Sequence, residues 1–287
     1  MRIHRLSVAV CVLVSALAVW PAAAMASTAP GLGTAASFAI LAGTPSITNT
    51  GSSVISGSVG IHPAALISGF PPGTVANGTI EAATPAANTA KNDLTAAYGV
   101  AASSPCNFNK TGQNLGGQTL TPGTYCQTTA PTLTGILTLS GNGVFIFQAG
   151  STLVTAPGSS VLLINGAQPC NVFWQVASSA TLDTTTTFVG TIMALTSITL
   201  NNGASIAGRA LARNGTVTLI NNRITAPTGC TAATVAGPVP ATAAPSLPNT
   251  AGAQVAQPGL PWIPIALLCL ITGILVTSSV WTRRRRR

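Results

Sequence analysis

Acidic residues are nearly missing from this chain. Glu81, Asp93 and Asp183 are its three carboxylates in 287 residues, and they lie far apart in sequence. Hydrolytic and lyase chemistry on polysaccharides needs clustered carboxylates, a metal, or a base set against an acid, so the composition argues against an enzyme. Histidine is as scarce: apart from His4, only His62 is present, at a strand end before Pro63 where a structural role is expected. With one histidine in the central part and no paired C-x-x-C spacing, a zinc site is not expected, and neither is any cofactor. Aromatic residues make up 5 % of the chain, which argues against a sugar-stacking surface.

Positive charge is concentrated at the two ends. Of the formal +9, seven positives come from Arg2, Arg5 and Arg283 to Arg287. Between Ser27 and Thr250, Lys91, Lys110, Arg209, Arg213 and Arg223 face the three acids, a net of +2. No basic stripe remains to neutralise a phosphate backbone, so nucleic acid is excluded as a partner.

The ends carry targeting signals. Residues 1–26 have Arg2 and Arg5, an apolar run from Leu6 to Trp20, and Ala24-Met25-Ala26 before Ser27, the pattern of a secretory signal with its cleavage site. Residues 231–246 are Ala, Pro, Thr and Val without periodicity and read as an extended spacer. Residues 247–287 hold Leu247-Pro248-Asn249-Thr250-Ala251, an uncharged run of 19 residues from Ile263 to Trp281, and the arginine tail. The run is long enough to cross a bilayer, with the arginines on the cytoplasmic side. This order resembles the cell-wall sorting signal cut by sortases. The resemblance implies a membrane-spanning precursor, cleaved between Thr250 and Ala251, whose Thr250 is joined to an amine of the wall peptidoglycan. Ala251 departs from the usual glycine of that motif.

Cysteine usage fits export. Cys11 lies in the signal and Cys269 in the apolar run, leaving Cys106, Cys126, Cys170 and Cys230. Four cysteines allow three pairings. The expected one joins Cys106 to Cys126 across a short loop and Cys170 to Cys230 as a staple on the last coil.

Repetition dominates the part between. Thr152-Leu153, Thr181-Leu182, Thr199-Leu200 and Thr218-Leu219 recur with gaps of 29, 18 and 19 residues between the leucines. Short β-branched strands and Gly/Asn turns at this period predict a mainly β fold, a parallel β-solenoid, over residues 27–230. Side chains alternate along a strand, so inward leucines put Thr152, Thr181, Thr199 and Thr218 outward in one file. The longer gap predicts an insertion over Val161 to Cys170. Ser37 to Pro63 reads as the first coils. Thr84 to Ala102 departs from the strand pattern. There Thr84 caps a helix starting at Pro85, with Ala87, Ala90, Leu94, Ala97, Tyr98 and Ala101 on one face, and this helix is expected to cover one side of the solenoid. Glu81 and Asp93 are expected at the helix start and on its solvated face.

These stretches resemble the ice-binding protein family. The resemblance is carried from about Leu32 to Thr225 by Phe38 to Gly43, Thr50 to Gly60, Gly69-Phe70-Pro71-Pro72-Gly73, Leu94 to Tyr98, Pro122 to Cys126, Asn171 to Val176 and Gly208 to Ala212. It implies a discontinuous, right-handed solenoid with one long helix alongside, and a flat face of outward Thr-(Ala/Gly)-x-(Thr/Asn) motifs that binds an ice crystal surface. Here those motifs read Thr152-Leu153-Val154-Thr155, Thr181-Leu182-Asp183-Thr184, Thr199-Leu200-Asn201-Asn202 and Thr218-Leu219-Ile220-Asn221. The second position is Leu, not Ala or Gly, and Asn202 with Asn221 also fits a turn ladder. Ser179 with Thr181, Ser197 with Thr199 and Thr216 with Thr218 are expected to form paired columns, Thr155 and Thr184 to extend them. The alternative is a wall-anchored adhesin or surface structural module that offers the same face to sugar or protein.

Overall fold

The computed structural model describes residues 27–229. The expected signal, the spacer, Cys230, the motif Leu247 to Ala251 and the apolar run lie outside the described residues. Each coil crosses three faces in turn. In the first coil these are Phe38–Ala42, Ser46–Thr50 and Val54–Ser56, and we call them the helix face, the threonine face and the third face. All ladders between coils are parallel. The repeat is closest to ideal between Thr187–Ala194 and Ser205–Ala212, which pair residue for residue from Thr187↔Ser205 to Ala194↔Ala212.

The order of coils in space is not their order in sequence. Ser205–Ala212 pairs with Phe38–Ala42, Val217–Ile220 with Ser46–Thr50, and Arg223–Thr225 with Val54–Ser56. The first coils therefore stack onto the last one. A return path is then required, and the helix α1 (Pro85–Ser103) supplies it. Its 19 residues span about 28 Å, close to six coil spacings of about 4.8 Å. The chain leaves the coil of Ile80–Ala82 and reappears at the far end with Phe108–Asn109.

Thr84 caps α1 as expected: its hydroxyl accepts from the Ala87 N–H at 3.2 Å, and it in turn donates to Glu81 Oε2 at 2.6 Å. Ala90, Leu94, Ala97, Tyr98 and Ala101 pack on Phe38, Leu41, Ile146, Phe173, Met193 and Leu211 of the helix face. Small alanines let the helix lie close. Polar clamps fix its position: Lys91 Nζ donates to the carbonyl oxygens of Ala212 (2.7 Å) and Arg213, and Gln148 Nε2 donates to the Ala101 (2.8 Å) and Ser104 (2.7 Å) carbonyls. Burial, and then the charge of Arg213, push the Lys91 ammonium down to about 8. Asp93 is not a solvated-face residue. It is half-buried, and its Oδ2 accepts from the Thr34 N–H (2.7 Å) and hydroxyl (2.6 Å), pinning the 3-10 turn Gly33–Ser37 to the helix. The Cys106–Cys126 disulfide, with Cα atoms 5.8 Å apart, joins the chain just past α1 to the helix-face strand Gly123–Gln127.

The interior holds one continuous core, in which Ile40, Phe145, Leu153, Val176, Leu182, Leu200, Ile206 and Leu219 are all sealed from solvent. One column is aromatic: Phe108, Tyr125, Phe147 and Trp174 stack with ring centroids 4.9, 5.3 and 4.0 Å apart, since each occupies the same register of successive helix-face strands. The Trp174 indole N–H donates to the Val189 carbonyl at 3.0 Å. The expected insertion is narrower than residues 161–170. Ser160–Ile164 is a third-face strand paired with Ile136–Ser140, so the extra chain is the corner from Asn165 to Asn171.

Candidate functional site: the threonine face

Seven short strands make this face: Thr132–Leu133, Leu153–Thr155, Ala180–Leu182, Ile198–Leu200, Val217–Ile220, Ser46–Thr50 and Leu66–Ser68, in that spatial order. The inward residues Leu153, Leu182, Leu200 and Leu219 are fully buried. Their outward neighbours stand in register as Thr132, Val154, Thr181, Thr199, Thr218, Thr48 and Ser68. This central file runs across the break in chain order, where Thr48 Oγ1 donates to Thr218 Oγ1 at 3.5 Å.

Two corrections follow for the first repeat. Val154, not Thr152, pairs with Thr181, so Thr152 falls two residues short of the central file and lies beside Ser179. Thr155 does not face outward: it is 1 % exposed, its hydroxyl sits 2.9 Å from the Thr186 hydroxyl, and it accepts from the Asp183 N–H at 2.9 Å. It satisfies the inside of a corner. Thr184 is half-exposed on the turn after its strand, with its N–H donating to Asp183 Oδ1 at 2.7 Å.

Ser179, Ser197 and Thr216 form the flanking column on the other side, continued by Ser46. Their hydroxyls also serve the backbone: Ser179 Oγ accepts from the Ser197 N–H (3.3 Å) and Ser197 Oγ from the Thr216 N–H (3.2 Å). The approach of coils here is close enough that a Cβ at Gly215 would stand 2.3 Å from Ser197 Oγ, which explains glycine before Thr216. On the second flank stand Asp183, Asn201, Ile220 and Thr50, the last two paired directly. Asp183 Oδ1 accepts from Asn201 Nδ2 at 3.0 Å and from the Thr184 N–H, and these two bonds hold its carboxyl below the usual carboxylate range. Asn221 Nδ2 donates to Asn202 Oδ1 at 2.9 Å, and Asn221 Oδ1 accepts from the Ser52 N–H at 3.0 Å. That is the turn ladder the two asparagines suggested.

The face thus carries hydroxyls and methyls at fixed intervals, and Asp183 is the one ionisable side chain in its three columns. Outward residues repeat at about 6.6 to 6.8 Å along a strand and about 4.8 Å between coils. Threonine side chains are stiff at χ1, so hydroxyl and methyl stay where the strand sets them. Thr132, Thr48 and Ser68 are members that the repeat in Ser151 to Ile224 does not contain. Ile47-Thr48 has the same inward and outward alternation as Val217-Thr218, but the two are 170 residues apart, and only the stacking puts them side by side.

The comparisons with known proteins agree with one another. The ice-binding protein of Nostoc sp. (strain HG1) is 50 % identical over 198 residues, covering 67 % of this chain and 72 % of that protein. The crystal structure of an ice binding protein from an Antarctic biological consortium superimposes with a TM-score of 0.68 at 44 % identity, over 72 % of this chain and 95 % of that one. That of the ice-binding protein from the Antarctic ascomycete Antarctomyces psychrotrophicus gives 0.68 at 36 % identity, over 70 % and 100 %. The model of the ice-binding-like family matches residues 40–225. Its solenoid, return helix and sequence make this chain a member of the ice-binding-like family.

Proposed function

We propose that this protein is an exported, wall-anchored ice-binding protein whose threonine face adsorbs to ice. The observation that carries this reading is the central file from Thr132 to Ser68, in register over seven coils and set on the fold of a family whose relatives are ice-binding proteins. The mechanism needs no reactive group. Threonine methyls order a cage of water over the face, the hydroxyls hydrogen-bond into it, and the ordered layer merges with the crystal. Rigidity does the rest, since each strand is fixed on both sides by its ladder. Low charge matters because a charged group holds its own hydration shell. This is a binding surface and not an active site: Glu81, Asp93 and Asp183 each spend oxygens on neighbouring hydroxyls, amides or N–H groups.

Export and anchoring rest on the order of signal, spacer, Leu247 to Ala251, apolar run and arginine tail. The direct test is to label the Ser27 to Thr250 fragment with a fluorophore and grow an ice hemisphere in its solution. Coating of the hemisphere is the expected result. A dark hemisphere would overturn ice binding and leave the adhesin for sugar or protein as the reading of the face.

A further inference from the structure

The place where the chain leaves the solenoid says which way the threonine face points once the protein is anchored. The last strand, Arg223–Thr225, lies on the third face between Ser205–Ala207 and Val54–Ser56. The chain then turns the corner from the third face to the helix face. The Ala226 N–H donates to the Ser56 carbonyl at 2.9 Å, and Arg209 Nη2 donates to the Pro227 carbonyl at 3.4 Å and the Ala36 carbonyl at 2.7 Å. In a three-faced coil this corner is the one opposite the threonine face. The exit also lies within the stack, not at an end, because coils continue on both sides of it. Cys170 sits on the same edge, between the third-face strand Ser160–Ile164 and the helix-face strand Val172–Val176, and it is disulfide-bonded. A bond to Cys230 fits this edge: three coil spacings are about 14 Å, and the five residues from Ala226 to Cys230 reach at most about 18 Å.

We infer that the anchored protein is held by the edge opposite its threonine face, so that the whole file from Thr132 to Ser68 looks away from the wall, and that its partner is an ice crystal outside the cell. The inference rests on the ice-binding and anchoring readings above and makes the protein an attachment device for the cell. A tether leaving from the threonine face, or from either corner beside it, would turn part of the file toward the wall. Here nothing of the exit path crosses it. The 16 residues of the spacer add up to about 55 Å of reach, enough to let the face settle flat on a crystal.

The test uses the full chain on its own cells. Thr199→Cys and, separately, Val154→Cys place a thiol on the threonine face; Thr225→Cys places one beside the exit. A bulky polymer-linked maleimide is applied to intact cells and to protein released by wall digestion. The face thiols should label equally in both states, and the exit thiol severalfold less on cells than after release. Face thiols shielded on cells but reactive after release would overturn the orientation. In parallel, cells carrying the parent chain should be captured by a growing ice surface and cells carrying Thr199→Tyr should not. If the purified fragment coats ice but the cells are never captured, external attachment is wrong while ice binding stands. If the fragment itself fails to coat ice, the ice reading falls, and the labelling still decides the orientation.

Discussion

Val154 holds the place in the central file that the Thr-Leu repeat assigned to Thr152, and the reason is one of register. A shift of two residues keeps the same side chains outward, so alternation alone cannot detect it; only the ladder Leu153↔Ala180 does. Thr155 departs from expectation differently: it sits where the other strands carry an inward leucine and is accommodated because Thr186 and the Asp183 N–H complete its hydrogen bonds. The residues to test are therefore those of the regular coils. Thr199→Tyr and Thr218→Tyr should abolish ice adsorption, since a large ring breaks the flatness over several water sites. Both leave the inward Leu200 and Leu219 alone, so the thermal midpoint should stay within a few degrees, as for surface changes of about 0.5 kcal/mol. Thr48→Tyr should lose adsorption like Thr218→Tyr, although it lies in a different part of the sequence. Asn92→Tyr on the exposed side of the helix should adsorb as the parent does. Fluorescence on an ice hemisphere, with a thermal melt of each variant, checks all four.

Among the elements, α1 is the one on which the coil order depends, because it alone joins the two ends of the stack. Its N-terminus is set by Thr84 and Glu81, and its buried face by alanines, all legible in the 3.6-residue pattern. Lys91 was not. It falls on the buried face, and only the carbonyls at the end of Ser205–Ala212, brought there by stacking, explain a lysine in that position. At the other terminus the Cys106–Cys126 disulfide closes a loop of 20 residues. Replacing both cysteines with serine should lower unfolding stability by about 3 kcal/mol, read as a fall in the urea midpoint. The first amides to lose hydrogen-exchange protection should be those of Gly123–Gln127 and the last turn of α1.

At the scale of the whole molecule, stability should fall in acid. Thr84 and then Thr79 hydroxyls hold the Glu81 carboxyl below its ordinary 4.5. Asp93 and Asp183 are held below 3.8, chiefly by the Thr34 hydroxyl and by the Asn201 amide respectively. Between the depressed and ordinary values the unfolded chain binds more protons than the folded one, so stability rises with pH there. The contribution is complete above about pH 5 and is lost as pH falls through the folded values. Thermal midpoints measured down that range should drop, and Asp93→Asn should flatten the drop, being unable to titrate. The anchoring reading belongs to this scale as well. Thr250→Ala should leave the protein in the membrane fraction, and unchanged recovery with the wall would remove the sortase route.

By itself the sequence determined the class of fold, the helix with its cap and buried face, the inward leucines, and the outward threonines of the regular coils. These are local properties: period, alternation, capping and turn chemistry act over a few residues, and the repeat copies them. Tertiary structure alone decided which coil lies next to which. The contact of Thr48 with Thr218, the register that substitutes Val154 for Thr152, the burial of Lys91 and Asp93 against distant partners, and the exit opposite the threonine face all depend on stacking the first coils onto the last. The helix permits that stacking by its length, and the core stabilises it by burying Ile47 and Ile55 against Val217 and Ile224. No periodicity along the chain can encode an order that the chain itself does not follow.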